Sequence, residues 1–526
     1  MDLTGYMTDK RRIFAVVLLA GLLRFPGLGS TPPGVYVDEA LQGYNAYSLR
    51  LTGRDHYGQA WPVVTKLFGS YSSSLYTYFS VVPVGLMGLN PVSARISSAV
   101  SGILLVLLVS AALSPLTGLI IAVSPVFVYF SRGAFEANLG LLLLVAGIFT
   151  SQKAVRRQAF LPWGFALLSL SAYAYHAERF LSLVFLGWFS WTARRAGLAT
   201  RSIIISLALA LIIQTPLLWL SVHPAVNTRL HELVIPGSPS QKVVAVVKSF
   251  GVYFSPDNLF SRPDPDIQRS FPDLGVFYWW MVIPFLAGIW HLFRSQPLSP
   301  KSRLMLILLF LSVIPGSLTR DYFASLRVLP AFFSVAWIIS QGLSWLKVRP
   351  VWLGMFVILS LLELYSNMVL LQHERSSVWN YEYRELAGFI KRHPDLPVVI
   401  DSSRAKPVYI LLAFYNRFPP LLFQSQYPSS WLKNYYSHPE FDPDIEVLNI
   451  HIRPISWAGD IYRDQLLIGD QLAISSAQAE EHFLELVAEF RDINGHPALT
   501  AYRTHPQSKC RATQSTPSSY CRDNIR

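Results

Sequence analysis

Long apolar runs recur along this chain, and they constrain its fold more than any other feature. A bilayer core needs about 20 mostly apolar residues per crossing helix. Runs near that length lie at 12–28, 92–112, 115–130, 134–151, 159–177, 179–193, 202–221, 274–293, 304–319, 328–346 and 350–371. Backbone groups in hydrocarbon have no water to pair with, so each run is expected to be a helix. Composition agrees: 14% of residues are charged, against about 25% in soluble domains. Aromatic residues make up 13%, which suits the belts at bilayer interfaces. A further apolar stretch, 75–90, contains Pro83, Gly85 and Gly88 and reads as an interfacial element.

The net charge of +12 would suggest nucleic acid in a soluble protein, so its distribution matters. Lys10, Arg11 and Arg12 precede the first run and place the N-terminus on the cytoplasmic side. Alternation then puts Lys153/Arg156/Arg157, Arg194/Arg195/Arg201, Arg294/Lys301/Arg303 and Lys347/Arg349 on that same side. This is the positive-inside pattern, and it accounts for part of the excess without a nucleic-acid partner. A basic-plus-apolar N-terminus also fits a signal peptide, but Arg24 and Pro26 stand where a cleavage region is small and neutral. The expectation is a polytopic α-helical protein of the inner membrane with about eleven transmembrane helices over residues 1–371.

The other face receives the loop 29–91, "SRGAFE" (131–136), "YHAER" (175–179), the long loop 222–273, "TRDYFASLR" (319–327) and everything beyond 371. Polar groups at a membrane boundary are costly to bury without partners and are often functional. From 372 the chain becomes polar. Helical spacing is read over 380–392 (Tyr383, Leu386, Ala387, Ile390) and 477–491 (Phe483, Leu486, Val487, Phe490), and short strands over 397–400 and 465–469. This suggests a small extracytoplasmic α/β domain, 372–505, followed by a loose tail, 506–526. The tail holds Cys510 and Cys521, the chain's two cysteines, which are open to a disulfide or to free thiols.

Within the first outer loop, "GVYVDEALQGYNAYSL" (34–49) places two carboxylates after a Pro-rich turn. Taken alone, Asp38 reads as a helix N-cap and Glu39 as a first-turn acid favoured by the helix dipole. Arg132 and Glu136, four apart, read as an i,i+4 ion pair. The segment that follows, 51–79, is long, aromatic and basic at Arg54, His56 and Lys66, and loops of that length usually have a task. Three acids and several bases on one face are harder to explain as helix chemistry alone.

Five stretches together carry a resemblance: "PPGVYVDEALQGYNAYSLRLTGRDHYGQAWP" (32–62), "LMGLNPVSARISSAV" (86–100), "SPVFVYFSRGAFEANLG" (124–140), "SAYAYHAERF" (171–180) and "IPGSLTRDYFASLRVLPAFF" (314–333). Over about residues 10–345 the chain resembles the integral-membrane glycosyltransferases of the C-type fold. It is most similar to the branch holding protein O-mannosyltransferases and the aminoarabinose transferases that modify lipid A. The resemblance implies transfer of a sugar from a polyprenyl-phosphate donor to an alcohol on the extracytoplasmic face, with inversion. The acceptor is left open among lipid, glycan and protein. Asp38 resembles the family's catalytic acid residue and would act as general base toward the acceptor hydroxyl. Glu136 aligns with a second family acid, where Asp is common. For the donor phosphate, Arg132 and Arg327 lead the candidates, with Arg54, Lys66, Arg179 and Arg320 behind them, since cations at the membrane surface suit a leaving phosphate. Glu39 is counted with Asp38 and Glu136 among the candidate catalytic acids, and Glu39 and His176 are the candidates for a divalent cation, which some members of the wider fold use and others do not. The rival readings are a lipid or glycan transporter or flippase, and a non-catalytic receptor. A transporter predicts charged or broken helices at mid-membrane, whereas the ionisable residues here lie mostly at run ends, Glu363 excepted.

Overall fold

In the computed structural model, residues 3–228, 234–404, 407–427, 429–437, 444–512 and 521 are described. The helices of the N-terminal half are α1 (Leu3–Arg24), α2 (Val37–Thr52), α3 (Leu75–Met87), α4 (Pro91–Ala112), α5 (Pro115–Val123), α6 (Pro125–Arg132), α7 (Glu136–Ala154), α8 (Leu161–Ala174), α9 (His176–Arg195) and α10 (Thr200–Leu220). They are followed by α11 (Pro239–Val252), α12 (Val282–Arg294), α13 (Pro300–Ser317), α14 (Leu329–Trp345) and α15 (Pro350–Glu374). Several begin in the same way. Asn90, Ser114 and Ser299 each accept a hydrogen bond from the N–H three residues on, and a proline follows at the first helical position, where its missing N–H costs nothing. Pro125 interrupts the run 115–130 by the same chemistry. It holds Ser124 in an extended conformation, and α5 and α6 meet at a 63° bend.

Among the described residues, six helices are long and apolar enough to cross a membrane, or seven if the bent α5–α6 pair is one span. Length and composition thus support six or seven of the eleven expected runs. Every expected run does contain helix, but length and charge separate them. The runs 159–177 and 274–293 yield helices of only 14 and 13 residues. α1 carries Asp9, Lys10, Arg11, Arg12 and Arg24, and α9 carries Glu178, Arg179, Arg194 and Arg195. Burial sorts the spans by position. The apolar window within Ser325–Trp345 is 83% buried, whereas that of Pro350–Glu374 is 17% buried, so α14 lies at the centre and α15 faces outward. α12 and α14 approach through glycines. A Cβ at Gly288 would lie 2.1 Å from Ile338 O, and one at Gly342 1.7 Å from Pro284 O. Close backbone approach through small residues is how helices gain contact where lipid offers no hydrophobic drive.

Beyond α15 come helices α16 (Tyr383–Arg392) and α17 (Tyr409–Asn416). A two-stranded hairpin in the first loop pairs β1 (Val64–Leu67) with β2 (Ser70–Ser73). The later strands are β3 (Val398–Ile400), β4 (Ile445–Val447), β5 (Ile450–Ile452), β6 (Leu466–Gly469), β7 (Glu485–Arg491) and β8 (Pro497–Arg503). They form a mixed sheet ordered β4-β5-β3-β6-β8-β7. β3 is parallel to both neighbours, with Val398 opposite Ile450 and Leu466. Strands buried on both faces read as unbroken apolar runs, which is why 397–400 and 465–469 were legible. The expected helix over 477–491 is corrected: it is helical only at Ser476–Glu481, and Glu485–Arg491 is the edge strand β7. In that strand only Phe490 is buried, so pairing with β8, not a helical apolar face, decides its state. The expected loose tail includes a helix at Pro506–Ala512, and Cys510 is bonded to Cys521. Residues 513–520 and 522–526 lie outside the described residues.

The sheet region is not a separate appendage. One buried apolar cluster joins Val35, Ala40, Leu41 and Tyr44 of the α2 region, Leu89 and Ala94, and Leu386, Ile410, Phe414, Val398 and Ile468. Gly34 makes the tightest join, at φ +70°, where a Cβ would lie 2.3 Å from Trp379 O and 2.9 Å from Tyr381. Glycine is required there both for its conformation and for space. Replacing it (Gly34→Ala) is expected to cost more than about 1 kcal/mol. The check is a lower thermal-unfolding midpoint and faster proteolysis of the 372–400 segment.

Candidate active site

The start of α2 organises the corner. Tyr36 has extended backbone and precedes the helix, so the cap position is one residue before the helix and two before Asp38. This corrects the reading of Asp38 as N-cap; it occupies the first turn and is half-buried. Glu39 is the residue that reaches back, accepting from Tyr36 N at 3.4 Å. Its carboxylate is held by Arg95 of α4, with Nε–Oε1 at 2.6 Å and Nη2–Oε2 at 2.7 Å, and Oε1 also accepts from Ala134 N at 3.0 Å. Arg95 donates its remaining N–H groups to Leu28 O (2.9 Å), Pro32 O (3.0 Å) and Gly34 O (2.6 Å). The Glu39 carboxylate is 3% exposed and the Arg95 side chain 0%. A buried pair persists only when its other hydrogen bonds are met, and here they are.

This changes the expected roles of several residues. Arg132 does not form an i,i+4 pair with Glu136, because α6 ends at Arg132 and α7 begins at Glu136. Its guanidinium donates to Thr31 O, Leu23 O, Arg24 O and Pro26 O at 2.9–3.4 Å. Arg24 likewise donates to Ser131 Oγ and to Ala122 O. Both arginines tie the turn after α1 to α6. Both Glu39 oxygens are engaged by Arg95, so a cation there would have to displace a guanidinium. Among the described residues no group of three or more His, Cys, Asp or Glu is arranged for a metal. His176 is half-buried and packs beside the Tyr175 ring.

The remaining cations fall into two groups. Arg327 pairs with Asp321 at 2.7 Å and donates to Thr319 Oγ1 at 2.6 Å. Arg269, which sequence reading passed over, approaches the same Asp321 at 3.5 Å. Arg269 also lines a small cleft with Tyr129, Asp264 and Ser325. Arg320 is exposed, and Arg54 is exposed and donates to Gly58 O at 2.9 Å within its own loop.

The second group surrounds the β1–β2 hairpin. Glu136 Oε1 accepts from Ser72 Oγ and Arg179 Nη2 donates to Ser73 Oγ, both at 3.5 Å. Lys66 is directly opposite Tyr71, and Val64 opposite Ser73. Because side chains alternate across a strand, Lys66, Tyr71 and Ser73 share one face and Ser72 the other. Lys66 and Arg179 thus meet the same face of the hairpin. Glu178, beside Glu136, is fully buried, and its carboxylate oxygens find no hydrogen-bond partner among the described residues.

A third layer seals the hairpin from outside. Tyr435 donates to Asp55 Oδ2 at 2.6 Å and accepts from Lys66 N at 2.8 Å. Asp55 also accepts from Gln59 N and Tyr57 N. Burial pushes its carboxyl up to about 6, against the opposing pull of those hydrogen bonds. His56 Nδ1 donates to Asn45 Oδ1 at 2.8 Å, so Nε2 accepts from Tyr409 OH at 3.1 Å. Burial, helped by the nearby Lys66 charge, holds this imidazole down at about 3 and hence neutral.

Arg95, Arg269, Glu178, Asp55 and Tyr435 carry no role in the sequence reading. Arg95 had a signal, since a charge inside an otherwise apolar run calls for a buried partner. Removing it (Arg95→Met) leaves Glu39 unpaired and is expected to destabilise the fold by about 3–5 kcal/mol, seen as loss of folded protein in detergent. Asp55 binds its proton more tightly folded than unfolded. Its contribution is therefore fully present below its ordinary 3.8 and lost as pH rises through about 6. Relative to Asp55→Asn, the unsubstituted protein should gain stability as pH falls from 7 to 4.5, by about 2 kcal/mol; thermal unfolding at both pH values tests this.

Neither a family model nor a curated protein sequence matches the chain. Solved structures do. The apo crystal structure of ArnT from Cupriavidus metallidurans matches at TM-score 0.52 and 13% identity, covering 96% of this chain and 99% of that one. The same protein bound to undecaprenyl phosphate matches at TM-score 0.54 and 13% identity, covering 95% and 98%. The archaeal oligosaccharyltransferase AglB from Archaeoglobus fulgidus, in complex with an inhibitory peptide and a dolichol-phosphate, gives TM-score 0.47 at 12% identity over 79% of this chain and 64% of its own. Over nearly its full length, this chain shares the fold of ArnT.

Proposed function

We propose that the protein transfers a sugar from a polyprenyl-phosphate donor to an acceptor hydroxyl at the extracytoplasmic membrane surface. The observation that carries this reading is one corner of the fold. There the first turn of α2 carries a half-buried Asp38, Glu136 meets the β1–β2 hairpin through Ser72, and Lys66 and Arg179 meet the hairpin's opposite face, in a fold shared with a protein crystallised with undecaprenyl phosphate.

In this reading Asp38 takes the proton of the acceptor hydroxyl as its oxygen attacks the anomeric carbon. The bond from that carbon to the donor phosphate breaks, and its electron pair leaves with the polyprenyl phosphate. A single displacement inverts the anomeric centre. Lys66 and Arg179 stabilise the charge that develops on the leaving phosphate. Arg327 and Arg269 form an outer cationic site toward the cleft, and Arg54 and Arg320 stay at the rim. Glu136, one methylene longer than the family's usual acid, orients the acceptor. Glu39 takes no proton; through Arg95 it fixes the helix turn that carries Asp38.

A carboxamide at the base position (Asp38→Asn) should lower kcat by about 10²–10⁴-fold and leave the affinity for undecaprenyl phosphate unchanged. The assay is transfer from a synthetic undecaprenyl-phosphate sugar by the purified full-length protein. Retained turnover in the variant would remove Asp38 from the base role.

A further inference from the structure

The outer domain reaches into the hairpin at a chemically specific place. Lys66 Nζ lies 4.4 Å from the Trp431 ring centroid and 5.0 Å from that of Tyr57. Tyr435 clamps the same strand from two sides. Its hydroxyl accepts from Lys66 N at 2.8 Å while donating to Asp55 Oδ2 at 2.6 Å, and its carbonyl accepts from Tyr71 OH at 2.5 Å. Tyr436 OH accepts from Val63 N at 3.0 Å. Tyr57, Tyr427, Trp431 and Tyr435 pack in sequence around this point, with ring centroids 4.8–6.0 Å apart. Lys66 is only 3% exposed, so its charge is held in a largely desolvated aromatic enclosure. A ring face attracts an ammonium through its quadrupole.

We propose that Trp431 and Tyr435, from the C-terminal region, are positioning residues for the donor. They fix the Lys66 ammonium, through its ring contacts and its strand, at the point where a polyprenyl phosphate binds. The phosphate-binding face is therefore assembled from two distant parts of the chain, and the outer domain sets donor affinity as well as covering the site. The proposal rests on the reading of Lys66 as a donor-phosphate cation given above. A buried cation has a single useful placement: a loosened strand lets the side chain swing into solvent, where its attraction to phosphate weakens.

The test measures binding of undecaprenyl phosphate, without sugar, to the full-length protein in detergent. Tyr435→Phe removes the hydroxyl that meets Asp55 and Lys66 N and is expected to weaken binding by about 10- to 100-fold in protein that still unfolds in one transition, at a midpoint lowered by the lost hydrogen bonds. Trp431→Leu should do the same and Trp431→Phe should restore most of the affinity. Should Tyr435→Phe fail to fold, the Trp431 pair decides alone. Lys66→Met combined with Trp431→Leu should bind no worse than Lys66→Met, because the ring acts through the lysine. Independent, multiplying effects would overturn the proposal, as would wild-type affinity in both Tyr435→Phe and Trp431→Leu. If the unsubstituted protein does not bind undecaprenyl phosphate, the donor reading itself falls and this proposal falls with it. If it binds and only the aromatic variants are silent, the donor reading stands and this proposal alone fails.

Discussion

The buried pair of Glu39 and Arg95 is the interaction on which the outer end of this protein depends. Two opposite charges sit where water does not reach, and each uses its leftover hydrogen-bonding capacity on backbone. Arg95 gathers three carbonyls from the turn between α1 and α2, and Glu39 gathers an N–H from the turn between α6 and α7. Three segments that are far apart in sequence are thereby held around one ion pair. Trp379 lies over the guanidinium at 5.7 Å and meets the rings of Tyr36 and Phe135 edge-on. The step from the last long helix to the outer domain is thus keyed to the same spot.

This arrangement divides the labour among adjacent carboxylates. One member of the Asp38–Glu39 pair is consumed by structure, which leaves its neighbour in the first helical turn at the surface of the corner. The positive end of the helix dipole favours an ionised carboxylate there. The arginines divide similarly. Arg24, Arg95 and Arg132 satisfy carbonyls inside the protein, while Lys66, Arg179, Arg269 and Arg327 stand around the hairpin and the cleft.

Much of the fold was readable before the coordinates. The apolar runs mark helices because hydrocarbon leaves the backbone no other choice, and the central strands announce themselves as unbroken Val/Ile/Leu runs. The helix boundaries were not readable, since run length counts residues that the structure spends outside helix, as at 274–278. The 477–491 segment satisfies a helical spacing by accident, and strand pairing at the sheet edge overrides it. In the site, residue types were legible, but partnerships were not. Nothing local to Arg132 says that four carbonyls await it, and nothing local to Lys66 says that Trp431 and Tyr435 will enclose it. Those facts belong to contacts separated by more than 100 and by more than 350 positions.

The shared core of α2 and the outer domain has a consequence for biosynthesis. Tyr44 donates its hydroxyl to Phe418 O across 374 positions of sequence, so the partner of the first outer segment is translated long after it. At about 5–20 residues per second, the delay is roughly 20–75 s. During that interval Tyr44 and Gly43 are already made but have no outer-domain surface to close against. Assembly of the corner is therefore a late event, and a ribosome that stalls within the last quarter of the message leaves behind an inserted but open protein. An exposed apolar helix and an unpaired aromatic strand are what quality-control proteases and chaperones at the membrane surface recognise.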